Sequence, residues 1–295
     1  MKKAYVFPGQ GGQSVGMGKD LYERDADARR VFDEVDAALG EKLSSLIFEG
    51  PAEELNKPSN LQPAIFATSM AMFSANKAPS PDFIAGHSLG EYAALVAAGC
   101  ADIGAVAKLL RKRGELMLAA AGTGQGTMAA IIGDIDVAAI CAEAAAEAGG
   151  VCEIANDNGA GQWVISGNVA AVEKAMEIAK AKEAKLVKQL AVPVPAHCSL
   201  MAPAVEEFRA ALYNIEWKAP AVPFISNKTA GVMADINEVK ESLAYQLTHG
   251  VRWRESVLKL AELGAQEIIE IGPGNVLTGL NKRILPEVNN YKLEI

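Results

Sequence analysis

The chain has 295 residues, 50% of them hydrophobic and 22% charged, with 28 Lys and Arg against 36 Asp and Glu for a formal charge of −8. This length allows about two domains, or one large domain carrying an insertion, and the apolar content excludes intrinsic disorder. The acidic balance argues against a nucleic-acid or anionic-membrane surface, so an acidic partner would need a local basic patch.

Residues 4–7 (AYVF) form an apolar run stopped by Pro8 and a glycine cluster, as in a buried strand that opens into a loop. Over 25–39, apolar residues at Val31, Phe32, Val35 and Leu39 have amphipathic-helix spacing, and a second helix is expected over 62–72. A brief strand over 83–85 feeds GHSLGEYAALVAAG, where turn residues give way to an Ala-rich helix. Another helix, from Ile103, carries Val106, Leu109, Leu110 and Met117 on one arc and Lys108, Arg111, Lys112 and Glu115 on the other.

From 124 to 192 the pattern changes. A strand is expected over 127–132, a helix over 135–148, strands over 151–155 and 162–166 around an Asn/Asp/Gly turn, a helix over 169–181 and a strand over 185–192. That βαββαβ order is the ferredoxin-like unit. Strand and helix then resume, with a strand over 222–226, helices near 239–247 and 256–263, and a strand over 267–271 ending at GPG. The expected fold class is α/β: a larger α/β-hydrolase-like domain (1–123 with 193–295) interrupted by a small ferredoxin-like domain (124–192).

Four cysteines, Cys100, Cys141, Cys152 and Cys198, lack C-x-x-C spacing and are too sparse for a disulfide scaffold, which fits reduced thiols. The N-terminal apolar run is too short for a signal peptide, and no stretch reaches the roughly 20 apolar residues of a membrane span. A cytoplasmic protein is expected. No cluster has metal-ligand spacing, and a monomer is the default expectation.

Gly86-His87-Ser88-Leu89-Gly90 fits G-x-S-x-G between a strand and a helix, the context in which a tight turn lifts a nucleophilic serine into a cleft. The Leu89 N–H then falls at the first turn of a helix, where unpaired amides and the helix dipole favour an oxyanion. A serine needs a base, and the histidines are His87, His197 and His249. His87 adjoins the nucleophile and reads as a structural hydrogen-bonding residue, while His249 reads as a surface side chain beside Gly250. His197 follows Pro193 and Pro195, which stiffen a segment at the expected domain junction, and is the favoured base. No Asp or Glu lies near it in sequence, so its orienting partner is open; a backbone carbonyl could fix the tautomer.

Arg113 falls inside the apolar arc of its helix and must meet an anion, because its charge cannot be shed on burial. Either a protein carboxylate pairs with it, or a substrate carboxylate does in a planar two-point contact. The loop Gly9-Gln10-Gly11-Gly12-Gln13 lacks both G-x-G-x-x-G and the P-loop lysine, so a phosphate site is a weak reading. An amide of this loop is instead expected to supply a second oxyanion donor.

Together FPGQGGQ (7–13), GHSLGEY (86–92), RGELM (113–117), VPAHCSLM (194–201) and IGPGNVLTGL (271–280) resemble the malonyl-CoA:acyl carrier protein transacylase family of bacterial fatty-acid synthesis, in order, spacing and over nearly the whole chain. The resemblance implies Ser88 as the acylated nucleophile, His197 as its base, Arg113 as the malonyl-carboxylate ligand, and Gln10 and Leu89 amides as the oxyanion hole. Gln62 matches a glutamine near the acyl pocket. Malonyl-CoA and acyl carrier protein are the implied partners, and no cofactor is implied. Leu89 and the VPAH segment resemble malonyl-selective members. Two departures stand out: Gly12 where the family often has serine, which should leave the loop amide usable, and Arg252 in place of a glutamine at a position whose main-chain carbonyl is expected to orient the histidine. Lys185, Lys188, Arg252, Arg254 and Lys282 are candidates for a carrier-protein surface. The rival readings are a serine thioesterase or esterase and, more remotely, a noncatalytic docking subunit.

Overall fold

The computed structural model describes residues 1–122 and 124–294; Thr123 and Ile295, which end two of the expected domain segments, lie outside the described residues. Strands β1 (Lys2–Phe7), β2 (Phe83–Gly86), β7 (Phe224–Ile225), β8 (Val232–Met233), β9 (Ala265–Glu270) and β10 (Asn289–Lys292) form one sheet in the order β10-β9-β1-β2-β7-β8. Its pairs are parallel except β7 with β8. Strands β3 (Gly126–Ile132), β4 (Cys152–Asp157), β5 (Gln162–Asn168) and β6 (Leu186–Gln189) form a second, antiparallel sheet ordered β4-β5-β3-β6. Along the chain this second group runs strand, helix, strand, strand, helix, strand.

β1 lies inside its sheet, and Ala4 to Phe7 are buried. Period-two alternation sends Tyr5 and Phe7 into one core and Ala4 and Val6 into another, so helices must cover both faces. The small sheet has its own core, in which Ala129, Ile131 and Ile165 meet Val137, Ile140 and Ala144 of helix Val137–Ala148 and Val172, Ala175 and Ile178 of helix Val169–Ala181. The small sheet is tied to the segment before helix Trp253–Glu262 where Asn156 of β4 bridges Val251: Val251 N–H donates to Ala155 O at 2.9 Å, and Asp157 N–H to Val251 O at 3.0 Å.

Local chemistry explains the helix limits near the site. Asp25 caps helix Ala26–Leu39, accepting from the Asp27 and Ala28 amides, and Gly40 closes it in the left-handed region at φ 71°. Helix Pro58–Ala75 begins earlier than the sequence pattern suggests because proline suits its first turn, where an amide has no partner to lose. It lies against helix Ile103–Ala121 at Gly114, where a Cβ would come within 2.3 Å of Pro58 O. β6 is shorter than the expected 185–192 strand: Leu190 N–H still reaches Met128 O at 2.9 Å, after which Pro193 leads the chain toward the cavity.

Candidate active site

The loops after β1, β2, β7 and β9 gather at the carboxyl ends of the parallel strands, where open α/β sheets bind ligands. Between β2 and helix Gly90–Ala97 the chain reverses so sharply that a Cβ on Gly86 would fall 2.0 Å from the Gly90 carbonyl carbon, and one on Gly90 would fall 2.0 Å from Phe7 O. Only glycine fits both positions. Ser88 is driven to φ 52°, a region that serine rarely adopts and that aims Oγ outward. Asn227, just after β7, holds the turn: its Oδ1 accepts Ser88 N–H at 2.8 Å and its Nδ2 donates to Gly86 O at 2.7 Å.

Ser88 Oγ lies 2.7 Å from His197 Nε2. His197 also has positive φ, 63°, in the stiff segment after Pro195. Its Nδ1 meets Gln246 O at 2.8 Å. Gln246 is the C-cap of helix Ile236–Tyr245, so its carbonyl falls at a helix end where oxygens lack intrahelical partners. With Nδ1–H donated there, Nε2 is the acceptor that faces the serine. Burial, and then the Arg113 charge, push the imidazole down to about 3, which leaves it neutral and able to take a proton.

Arg113 is 2% exposed. It donates to Gln62 Oε1 at 2.8 Å and to Gln246 Oε1 at 2.9 Å and lies over the Tyr92 ring at 5.6 Å, while its Nε is buried without a partner. Burial lowers its pKa. Among the described residues no carboxylate is within ion-pair distance of it. Gln62 is fixed by the arginine and by Met117 Sδ at 3.4 Å.

A cavity of about 170 Å³ is lined by Gln10, Ser88, Leu89, Arg113 and His197, with Met117, Met128, Val164, Leu190 and Val192 as an apolar wall. Leu89 stands before helix Gly90–Ala97, and neither its amide nor that of Gln10 donates to any group among the described residues. Both are therefore available to a developing anion. Among the described residues, no cluster of three or more His, Cys, Asp or Glu could hold a metal, and no helix is long and apolar enough to cross a membrane.

A family model described as "Acyl transferase domain" matches residues 4–294. The chain is 48% identical to the malonyl CoA-acyl carrier protein transacylase of Bacillus subtilis (strain 168), covering 96% of this chain and 90% of that protein. It belongs to the malonyl CoA-acyl carrier protein transacylase family. Among solved structures, the acyl-carrier-protein-S-malonyltransferase from Bartonella henselae superposes with a TM-score of 0.96 at 45% identity, covering 100% of this chain and 96% of that one. A malonyl-transacylase in complex with its type II PKS acyl-carrier protein gives 0.94 at 39% identity, covering 99% and 94%. The chain shares with these transacylases a mixed α/β fold with two sheets.

In this transacylase, all six residues singled out from the sequence meet at one place: Ser88, His197, Gln10, Leu89 and Arg113 line the cavity, and Gln62 holds Arg113 from behind. His87 packs on Trp253 and meets Asn158 Oδ1 through Nε2 at 3.0 Å, while His249 is exposed and stacks on Tyr245. One expectation needs correction. The carbonyl that orients His197 is that of Gln246, not residue 252; Arg252 caps helix Trp253–Glu262 and pairs with Glu255. At Gly12 a Cβ would sit 2.5 Å from Pro273 O, so this loop packs closely on the turn after β9. Of the basic candidates, Lys185, Lys188 and Lys282 are exposed, and Arg254 is paired with Asp157 at 2.9 Å.

Sequence reading missed Asn227, Gln246 and Glu91. Glu91 carried a signal, being an acid in an otherwise apolar helix that must find donors when buried. It is fully buried and accepts from Asn227 N–H at 2.7 Å and Gln246 Nε2 at 2.5 Å. Burial pushes its carboxyl up to about 8 against these donors and the Arg113 charge. Asn227 and Gln246 lie 139 and 158 positions from Ser88, beyond any local pattern.

Proposed function

We propose that the chain transfers a malonyl group from malonyl-CoA to the pantetheine thiol of acyl carrier protein through a malonyl-Ser88 ester. The observation that carries this reading is the 2.7 Å Ser88–His197 contact facing the same cavity as a buried arginine without a carboxylate partner. His197 Nε2 takes the Ser88 proton as Oγ attacks the thioester carbonyl, and the Leu89 and Gln10 amides hold the oxyanion. Collapse of that intermediate expels CoA thiolate, which takes the proton back from His197. The carrier thiol then gives its proton to Nε2 as its sulfur attacks the ester. His197 returns that proton to Oγ as serine leaves, so thioester and enzyme are both regenerated.

Arg113 is assigned to the free carboxylate of the malonyl group, with Gln62 and Gln246 keeping its guanidinium planar to the cavity. The parallel-sheet unit, 1–123 with 193–295, is read as α/β-hydrolase-like, and 124–192 as a ferredoxin-like insertion that walls the cavity; the strand order β4-β5-β3-β6 supports the latter. The enzyme is further proposed to act as a cytoplasmic monomer that needs no cofactor.

Incubation with labelled malonyl-CoA and no acceptor is expected to leave one malonyl group per active chain, located on Ser88 by peptide mass analysis. Adding carrier protein should discharge it to the carrier thiol. Steady release of free malonate that the carrier thiol does not outcompete would instead make the chain a thioesterase.

A further inference from the structure

The transfer chemistry gives Glu91 no direct part, yet this buried carboxylate links the groups that do take part. Its two oxygens accept from different elements, Oε1 from Asn227 N–H and Oε2 from Gln246 Nε2. Asn227 grips the nucleophile turn on both sides, through Ser88 N–H and Gly86 O. Gln246 holds the base with its main-chain oxygen and Arg113 with its side-chain oxygen, and its Nε2 also donates to Ser88 O at 3.0 Å.

A primary amide has one accepting and one donating end. Gln246 meets two acceptors, Glu91 Oε2 and Ser88 O, at one end and the guanidinium at the other, so its partners dictate which way it points. Turned over, it would set an NH₂ against Arg113 and an oxygen against Ser88 O. We propose that Glu91 is a positioning residue: by accepting both N–H groups it points the Gln246 amide oxygen at Arg113 and anchors the Asn227 clamp on Ser88. This inference rests on the acyl-transfer reading above, and it makes substrate selectivity depend on a side chain that does not line the cavity.

Two substitutions separate this role from mere packing. Glu91→Gln keeps shape but offers one acceptor and one donor, so either the Asn227 amide or the Gln246 amide meets a donor head-on. Glu91→Asp keeps both acceptors on a side chain one methylene shorter, which no longer spans the two donors. Malonyl and acetyl transfer are measured for wild type and both variants at about pH 9, above the value of about 8 to which burial raises the Glu91 carboxyl, so that both its oxygens are acceptors, with thermal melting on the same samples. The malonyl-to-acetyl ratio of kcat/KM is expected to fall about tenfold in Glu91→Gln and about threefold in Glu91→Asp, because Arg113 loses its fixed orientation. A purely structural role would lower the Tm and leave the ratio alone; a wild-type ratio in either folded variant overturns the proposal. Failure of the wild-type chain to acylate Ser88 would remove the acyl-transfer reading and this proposal with it, and that result needs no variant.

Discussion

The parallel-sheet unit supplies Gln10 and Ser88 to the cavity from loops at its strand ends and Arg113 from a helix, and His197 comes from the chain after β6, whereas the antiparallel sheet supplies mainly apolar side chains: Met128 from β3, Val164 from β5, and Leu190 and Val192 from the chain beyond β6. The contrast follows from backbone geometry. A serine at positive φ and free amides arise where strands stop, and a carbonyl that can accept from His197 arises where a helix stops, while a strand interior commits its amides to the ladder and can offer only side chains. Substitution of Ser88 or His197 should therefore change rate, substitution of Arg113 should change the preference for a carboxylated acyl group, and substitutions on the antiparallel side should change the size of acyl group that fits.

The comparison is tested hardest at Ser88, the proposed nucleophile. Ser88→Ala removes the attacking oxygen and should cost roughly 10⁴-fold in kcat or more, with no acyl group retained on the chain. Near-wild-type transfer by that variant would break the parallel-sheet assignment outright. Arg113→Ala comes next. It should depress malonyl transfer about 100-fold more than acetyl transfer, since only the former presents a carboxylate to the guanidinium. Equal losses for the two donors would return Arg113 to a structural role.

On the other wall the expected effects are smaller and of a different kind. Met128 is 6% exposed and contacts the cavity. Met128→Ala should destabilise the fold by about 2 kcal/mol, the low end for a methionine truncated beside an existing void, and raise methylmalonyl relative to malonyl transfer by about tenfold. Chemical denaturation and donor competition measure the two effects. A fall in malonyl turnover as deep as that of Arg113→Ala, with no change in donor preference, would erase the distinction between the walls.

What could be read from the sequence follows the same division. The β3-to-β6 unit was legible because its order is local: the hairpin of β4 and β5 turns within Gly159 to Gly161, and each helix follows the strand it covers. The parallel sheet was legible at β1, β2 and β9, whose apolar runs are buried on both faces. It was not legible at β8 and β10, because two residues, Val232–Met233, and the polar run Asn289–Lys292 carry no period. Helix Ala202–Tyr213 also went unread, though Phe208 and Leu212 are a helical turn apart, as did Val276–Ile284 behind a glycine-rich loop. At the site, Ser88 and His197 were legible through turn glycines and flanking prolines, which announce unusual backbone. The groups that orient them were not, because a hydrogen bond between Asn227 and Ser88 leaves no trace in the residues beside either one.

The smallest expected effect concerns protons and sharpens the role proposed for His197. The buried His197 imidazole titrates at about 3, against about 6.5 when exposed in the unfolded chain. A base that is already neutral gains nothing between these values, so the rate of Ser88 acylation should stay level from about pH 7 to about pH 5 instead of halving near 6.5. Stability behaves differently. As pH falls from about 6.5 toward 3, the unfolded chain takes up a proton at this position that the folded chain refuses, so the folded state loses stability across that window. His87, lowered by burial, acts in the same direction, whereas Glu91, raised to about 8, stabilises most at low pH and loses its contribution as pH rises. The bare slope of Tm against pH therefore mixes signs. The difference between wild type and His197→Asn isolates the histidine, and the variant should show the smaller fall in Tm between about pH 7 and about pH 5. An unchanged slope, or an acylation rate that halves near 6.5 in the wild type, would mean that His197 is solvated and titrates freely.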